Sequence, residues 1–509
     1  MVDGWAQYCW IVVVGGVYTS VVGFGIGAID WGNNFAASVA SRALSYRQAA
    51  VLGAIFEIIG AFVLGPRLRL SIRKGAADWQ AFTGQPEALM YGLMCQATVT
   101  AAWLLLCSRM SLPISATQTI VVALGAMAFV LNKDSVNLVT RTSTFPYTGG
   151  ILAECLSLIV SPFLGMLFAA LFLLIIRNWI LRSSNAFHKA LWALPSLACL
   201  SVLISLLFLH EEIDRFRSLG PESLHVTIAC AAGTVTAVVT AVVIVPWVRL
   251  KVLGPMLQGE KAHLNHALQD QDLWIGEVMD EEKDSLLQQG ARRTRERILA
   301  ILDKDIHKAG KEDPLVAAMQ QNTEKFDVVA EDCFKALQVL LSCAMALGHG
   351  ASNAINATCH FATMLHIYQT GSVEATVDQP LWMLAIAAVS IVLGGVLYGY
   401  NIMTVLGVKI ARISPARGFA IQLCSVFVVV LASKLQLPIS RTFTTVCATF
   451  AVGALEGRRN TNKRVMVKII SAWLLTLVVP ALFTAVLVAQ AVYSPSIHDP
   501  HVAVSSPSS

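Results

Sequence analysis

Leu112-Pro113-Ile114-Ser115-Ala116-Thr117 and Leu437-Pro438-Ile439-Ser440-Arg441-Thr442 are near-copies in opposite halves of one chain. A second matched pair precedes each of them. Gly27-Ala28-Ile29-Asp30-Trp31-Gly32-Asn33-Asn34 answers to Gly350-Ala351-Ser352-Asn353-Ala354-Ile355-Asn356-Ala357. Both read as a small-residue turn, then Asp or Asn, then Asn three residues on. Two matched motifs in the same order make an internal repeat.

The repeat sits in a chain built for lipid. Of 509 residues, 56% are hydrophobic and 14% charged, with a mean hydropathy of +0.64. Soluble domains carry about 25% charged residues. Apolar runs recur at 8–28, 48–66, 87–108, 113–131, 150–182, 190–210, 225–248, 333–368, 381–403, 418–435, 437–457 and 465–491. Each approaches the ~20 residues a helix needs to cross a bilayer core, and backbone polarity in lipid leaves helices as the reading. The expected fold is all-α and polytopic, with about 12 transmembrane helices in two inverted repeats containing interrupted helices. About seven crossings separate the two copies, and an odd number turns the second copy over.

The expected organisation is a first transmembrane half over 1–250, a cytoplasmic loop over 251–331, a second half over 332–493 and a disordered tail over 494–509. The loop holds charge runs such as Arg292-Arg293-Thr294-Arg295-Glu296-Arg297, and Thr294 in that context is a candidate phosphosite. Arg182, Lys189, Lys409, Arg412, Arg417 and the basic residues at 458–464 fall on the loop's side, which is therefore cytoplasmic. Arg67, Arg69, Arg73 and Lys74 fall on the other, against that rule. The first apolar run has no Lys or Arg before it and reads as a retained helix. The 11 cysteines are scattered, without a CxxC pair, as packing residues. No nucleotide loop, metal cluster or nucleophile–base pair stands out, which argues against an enzyme.

The chemistry lies in the repeated motifs. Proline fixes the first turn of a helix, and the N–H groups that follow lack partners and carry partial positive charge. With Ser115 and Thr117, or Ser440 and Thr442, such a helix start is an anion site. Two of them from inverted repeats clamp one tetrahedral oxyanion. Asp30 and Asn33 offer oxygen ligands on one helical face, suited to sodium or to a proton site, and an acid at membrane depth usually lines a pathway. Asn353 and Asn356 offer oxygens without charge. Glu57, alone in an apolar helix, is either protonated or paired. His349 reads as a structural helix-end histidine. The sequon Asn356-Ala357-Thr358 falls inside the expected pathway and is discounted.

Taken together, these blocks resemble the inorganic phosphate transporter family, and most of all its fungal and protist sodium–phosphate symporters. The resemblance rests on DWGNNFAASVASRALSYRQAAVLGAIFEIIGAFVLG from Asp30, LQVLLSCAMALGHGASNAINA from Leu337, LYGYNIMTVLGVKIARISPARGFAIQL from Leu397 and LASKLQLPIS from Leu431. It implies phosphate as substrate, bound at Ser115, Thr117, Ser440, Thr442, Asn353 and Asn356, to which the guanidinium chemistry of Arg441 adds a further candidate phosphate ligand. It implies a coupling cation at Asp30, Asn33, Glu57 and Gln422, sodium at Asp30 and Asn33 being favoured over a proton. The departures are specific. Against the family pattern, Ile29 and Ser352 replace Asn, Asn353 replaces a second Asp, Gln422 replaces Glu, and Arg441 stands where the family's STTH motif has Thr. Two acids are lost and a cation is gained, so Arg441 is expected to supply part of the coupling charge.

The expected function is therefore secondary active transport of inorganic phosphate by cation symport, with alternating access around a midplane site. A non-transporting phosphate sensor on the same scaffold, or transport of another oxyanion such as sulfate, is the alternative. No cofactor is expected beyond sodium or a proton. The expected partners are inorganic phosphate, that coupling ion and the lipid bilayer, with a homodimer as the assembly to test and no nucleic acid. A multi-pass protein of the plasma membrane is the expected location.

Overall fold

The computed structural model describes residues 5–64, 76–141, 148–212, 220–250, 304–308, 313–374, 377, 379–435, 437–457 and 460–493. Arg67, Arg69, Arg73, Lys74, Arg458, Arg459, the 292–297 run with Thr294, and the tail lie outside them. The main helices are α1 (Cys9–Ala40), α2 (Tyr46–Ile59), α3 (Pro86–Arg109), α4 (Ala116–Leu131), α5 (Ile151–Ile176), α6 (Ala186–Glu212) and α7 (Glu222–Val239) in the first half. The last part of the polar segment carries the short α8 (Pro314–Gln321) and α9 (Val328–Asp332). They are followed by α10 (Lys335–Thr370), α11 (Leu381–Thr404), α12 (Pro415–Lys434), α13 (Arg441–Ala454) and α14 (Lys463–Tyr493).

Among the described residues, eight helices are long and apolar enough to cross a membrane. Of the four other segments expected to cross, that of α2 ends in a π-helical turn at Gly60–Leu64, and three depart from that pattern for physical reasons. Helix α10 is long enough, with 36 residues, but it spends its inner face on polar groups including His349, Asn353, Asn356 and His360. Helices α4 and α13 are shortened to 16 and 14 residues because Pro113 and Pro438 hold the preceding backbone extended. The outward faces confirm a lipid setting. Trp179 is 74% exposed, Trp192 72% and Val242 68%, while the interior holds Asp30, Glu57, Asn33, Asn34, Asn353 and Asn356. This is an integral membrane protein of the multi-pass, all-α class.

The expected turns at Gly27-Ala28 and Gly350-Ala351 are absent. Both stretches are helical, inside α1 and α10. Their small residues serve close approach instead. A Cβ on Gly27 would collide with the Ile391 carbonyl oxygen of α11, and one on Gly394 with the Phe24 carbonyl oxygen of α1. These two helices lie along most of each other's length, as small residues at a membrane interface permit. The chain breaks come instead at the two proline motifs, between α3 and α4 and between α12 and α13.

At one end of the bundle, the last part of the polar segment is tied onto the helices. Arg417, at the start of α12, forms a buried ion pair with Glu456, each 2% exposed, its Nε donating to Glu456 Oε1 at 2.6 Å. Its Nη2 donates to the Glu324 carbonyl oxygen at 2.7 Å. Glu331 of α9 caps α12, accepting from the Ser414 hydroxyl and the Ala416 N–H at 2.8 Å each. Burial holds the Glu331 carboxyl above its usual range, against the opposing pull of the Ala416 N–H and of Arg417. Arg182 grips Glu324 with two bonds of 2.8 and 2.9 Å. At the opposite end, Lys434 bridges Glu211 and Glu222.

Breaking a buried pair from one side strands a charge and costs about 3–5 kcal/mol. Arg417→Met is therefore expected to lower the apparent unfolding temperature of the detergent-purified protein, and Arg417→Met/Glu456→Met to restore most of it. Equal melting of the single and double variants would contradict the assignment.

Candidate functional site

Two long helices and two short ones build the site. Helix α1 supplies Asp30, Asn33 and Asn34 from its last third, and α10 supplies Ser352, Asn353 and Asn356 from its middle. Helices α4 and α13 begin at the proline motifs and aim their first turns at the same space. A cavity of about 350 Å³ lies between them, lined by Asp30, Ser115, Thr117, Ser440, Arg441 and Thr442, with Glu154 and Ser352 completing its polar wall.

The two helix starts differ. At α4, Ser115 caps its own helix, accepting from the Gln118 N–H at 3.3 Å. At α13, Ser440 makes no such cap. Its N–H donates to Ser161 Oγ at 2.7 Å, and its own buried Oγ has no hydrogen-bond partner. The first N–H groups of a helix have no acceptor within it, so α13 presents uncompensated donors where Arg441 enters the cavity.

The halves are stitched crosswise. Asn33 of the first copy donates from Nδ2 to Thr442 Oγ1 of the second at 2.9 Å, and also to Asp30 Oδ1 at 3.1 Å. Asn356 of the second copy reaches Thr117 Oγ1 of the first at 3.5 Å, the limit for such a bond. Each long helix thus holds the short helix of the opposite half. Asn353 lies beside the Asp30 carboxylate, where the repeat has lost its second acid. Asn356 is only 4% exposed, so the sequon is closed to modification.

Behind this wall lies a second polar group. Asn34 Nδ2 donates to Glu57 Oε1 at 3.3 Å, and Gln422 Nε2 donates to the Asn34 carbonyl oxygen at 2.8 Å. Three further oxygens there, Asn34 Oδ1, Glu57 Oε2 and Gln422 Oε1, are buried without a hydrogen-bond partner. Gly350 makes the arrangement possible, since a Cβ there would meet the Glu57 carbonyl oxygen. His349 is not at a helix end, as its sequence context implied. It lies inside α10, fully buried, with neither ring nitrogen hydrogen-bonded.

The sequence-derived residues therefore fall into two neighbouring clusters. Asp30, Ser115, Thr117, Ser440, Arg441 and Thr442 line the cavity, Asn33, Asn353 and Asn356 stand behind these lining residues, and Glu57 and Gln422 belong to the inner group. Sequence reasoning missed Asn34, which joins Glu57 to Gln422, and Glu154 and Ser352 in the cavity wall. Asn34 follows Asn33 by one residue and so points about 100° away from it around the helix. Glu154 carried one signal, a lone acid in the first turn of a very apolar helix.

The family profile described as the phosphate transporter family matches residues 26–484. The phosphate-repressible phosphate permease of Neurospora crassa is 25% identical, with 96% of this chain and 98% of that protein covered. The chloroplastic inorganic phosphate transporter 2-1 of Arabidopsis thaliana is 28% identical over 90% of this chain and 68% of its own length. Among solved structures, one described as the sodium-dependent phosphate transporter superposes with a TM-score of 0.66 at 23% identity. It covers 95% of this chain and all of that one, and bears on the fold.

Loss of the Asn33–Thr442 bond leaves a buried amide short of an acceptor, which costs about 1–3 kcal/mol. Thr442→Val is expected to destabilise the purified protein by that amount and Thr442→Ser to leave it near wild type. Equal melting of the two would contradict the crosswise tie.

Proposed function

We propose, from the premise that this chain belongs to the phosphate transporter family, that it carries inorganic phosphate across the membrane by symport with a cation, sodium in preference to a proton. The observation that carries the reading is the cavity itself. Phosphate oxygens would face Arg441, the unpartnered Ser440 hydroxyl, the first N–H groups of α13 and the Ser115, Thr117 and Thr442 hydroxyls. Guanidinium and helix-start donors are strong oxyanion ligands.

Asp30 and Glu154 in the same wall favour phosphate over sulfate. Near neutral pH phosphate retains a proton that it can donate to a carboxylate. Sulfate has none, and would be repelled by acids it cannot hydrogen-bond. The three unpartnered oxygens of Asn34, Glu57 and Gln422 suit a hard cation, which takes oxygen ligands and at least one negative charge. Asp30 and Asn33 offer a second such place at the edge of the cavity.

Alternating access would use the two ends of the bundle. The cavity lining reaches Ser433, beside the Glu211–Lys434–Glu222 cluster. The opposite end carries the Arg417–Glu456 pair and the Glu331 cap. In this reading the cavity communicates with the first side, and release to the other requires the α12 and α13 ends to part around Arg417. The matched motifs, approaching from opposite ends, would form the two inverted halves that rock about the site.

The test is radiolabelled phosphate uptake into proteoliposomes under a sodium gradient, a proton gradient or neither. Sodium-driven uptake inhibited by arsenate but not by sulfate is expected, and Asp30→Asn should lower it by roughly tenfold or more. Phosphate binding without flux under any gradient would overturn transport in favour of a sensor.

A further inference from the structure

The cavity already contains a cation. Arg441 donates from both terminal nitrogens to Ser352 Oγ at 3.1 Å. That serine belongs to α10, so the guanidinium turns inward across the site and does not run to the membrane surface. Asp30 and Glu57 both lie within its electrostatic reach. Its Ser352 partner and the adjacent Asn353 are the two places where the second motif lacks the Asn and Asp of the family pattern. The three positions form one contacting set: a small hydroxyl residue makes room for the guanidinium and anchors it, and a neutral amide faces Asp30.

We infer that Arg441 acts as a resident counter-cation, so that this protein binds phosphate without first binding sodium at the cavity and couples its movement to one fewer cation than an otherwise identical site lacking the arginine. The inference rests on the phosphate reading above. The physical argument is one of charge. With Arg441 present, the formal charges on the wall are the two acids Asp30 and Glu154 and one guanidinium. Without it, an anion carrying about one to two negative charges would approach two carboxylates with no fixed cation. A mobile cation would then have to enter first. A tethered guanidinium meets that need permanently, forms paired bonds to phosphate oxygens and does not leave with the substrate. A charge that stays behind is not transported, which lowers the number of cations moved per phosphate. Glu57 and its neighbours remain available to a separate coupling ion.

The test is calorimetric titration of the purified full-length protein with inorganic phosphate, in sodium chloride and in choline chloride at equal ionic strength. The wild type is expected to bind phosphate in choline within about threefold of its affinity in sodium. Arg441→Thr is expected to bind at least about tenfold more weakly in choline than in sodium, and Arg441→Lys to behave more like the wild type. Strict sodium dependence in the wild type, or identical sodium dependence in wild type and Arg441→Thr, would overturn the inference while leaving the phosphate reading intact. Absence of phosphate binding to the wild type in both salts would overturn the phosphate reading and the inference with it. If Arg441→Thr does not fold, the wild-type comparison of the two salts decides alone.

Discussion

Two asparagine–threonine contacts hold the centre of this molecule together. Asn33 on α1 reaches Thr442 on α13, and Asn356 on α10 reaches Thr117 on α4. Each long helix is thereby tied to the short helix of the other half. Much of the interior answers to that requirement. The short helices must begin within reach of the long ones, and proline holds the preceding segments extended. The long helices must lie close enough to span the gap, so glycines line their crossings. Buried amides in lipid must find partners, and the Asn33, Asn34 and Asn356 side-chain N–H groups find theirs on other helices.

The same constraint concentrates charge. Once the ends of α4 and α13 face each other, their unpaired N–H groups create a positive region in a medium with little screening. Asp30 and Glu154 answer that field, and Arg441 is tolerated there because the two acids offset its charge. Away from the centre, ion pairs fasten the two ends of the bundle, Arg417–Glu456 at one and Lys434 with Glu211 and Glu222 at the other.

The parts of this design that were legible in the sequence are those encoded by residue type and spacing. The prolines of the two repeated motifs announced where helices begin, and the hydroxyls beside them fall together in the wall of one cavity. Asp30 and Glu57 stood out because acids are rare in apolar helices. What could not be read depends on rotation about a helix axis and on contacts between distant segments. Gly27 and Gly350 looked like turns because glycine breaks helices in water. In a membrane bundle the same residue permits close packing, and only the facing carbonyls of Ile391 and Glu57 decide which role applies. Asn34 was hidden by Asn33, since adjacent residues on a helix face different partners. The joining of Arg441 to Ser352 spans 89 residues, and local patterning carries no trace of it.

The central claim is that the space between the starts of α4 and α13 is an anion site for phosphate. The most direct measurement is an experimental structure of the protein soaked with arsenate, a phosphate analogue that can be located by its anomalous scattering. The account predicts an arsenic peak inside the cavity, within hydrogen-bonding distance of Ser440, Arg441 and Thr442. An arsenic peak elsewhere, with that cavity holding only water or a cation, would contradict it.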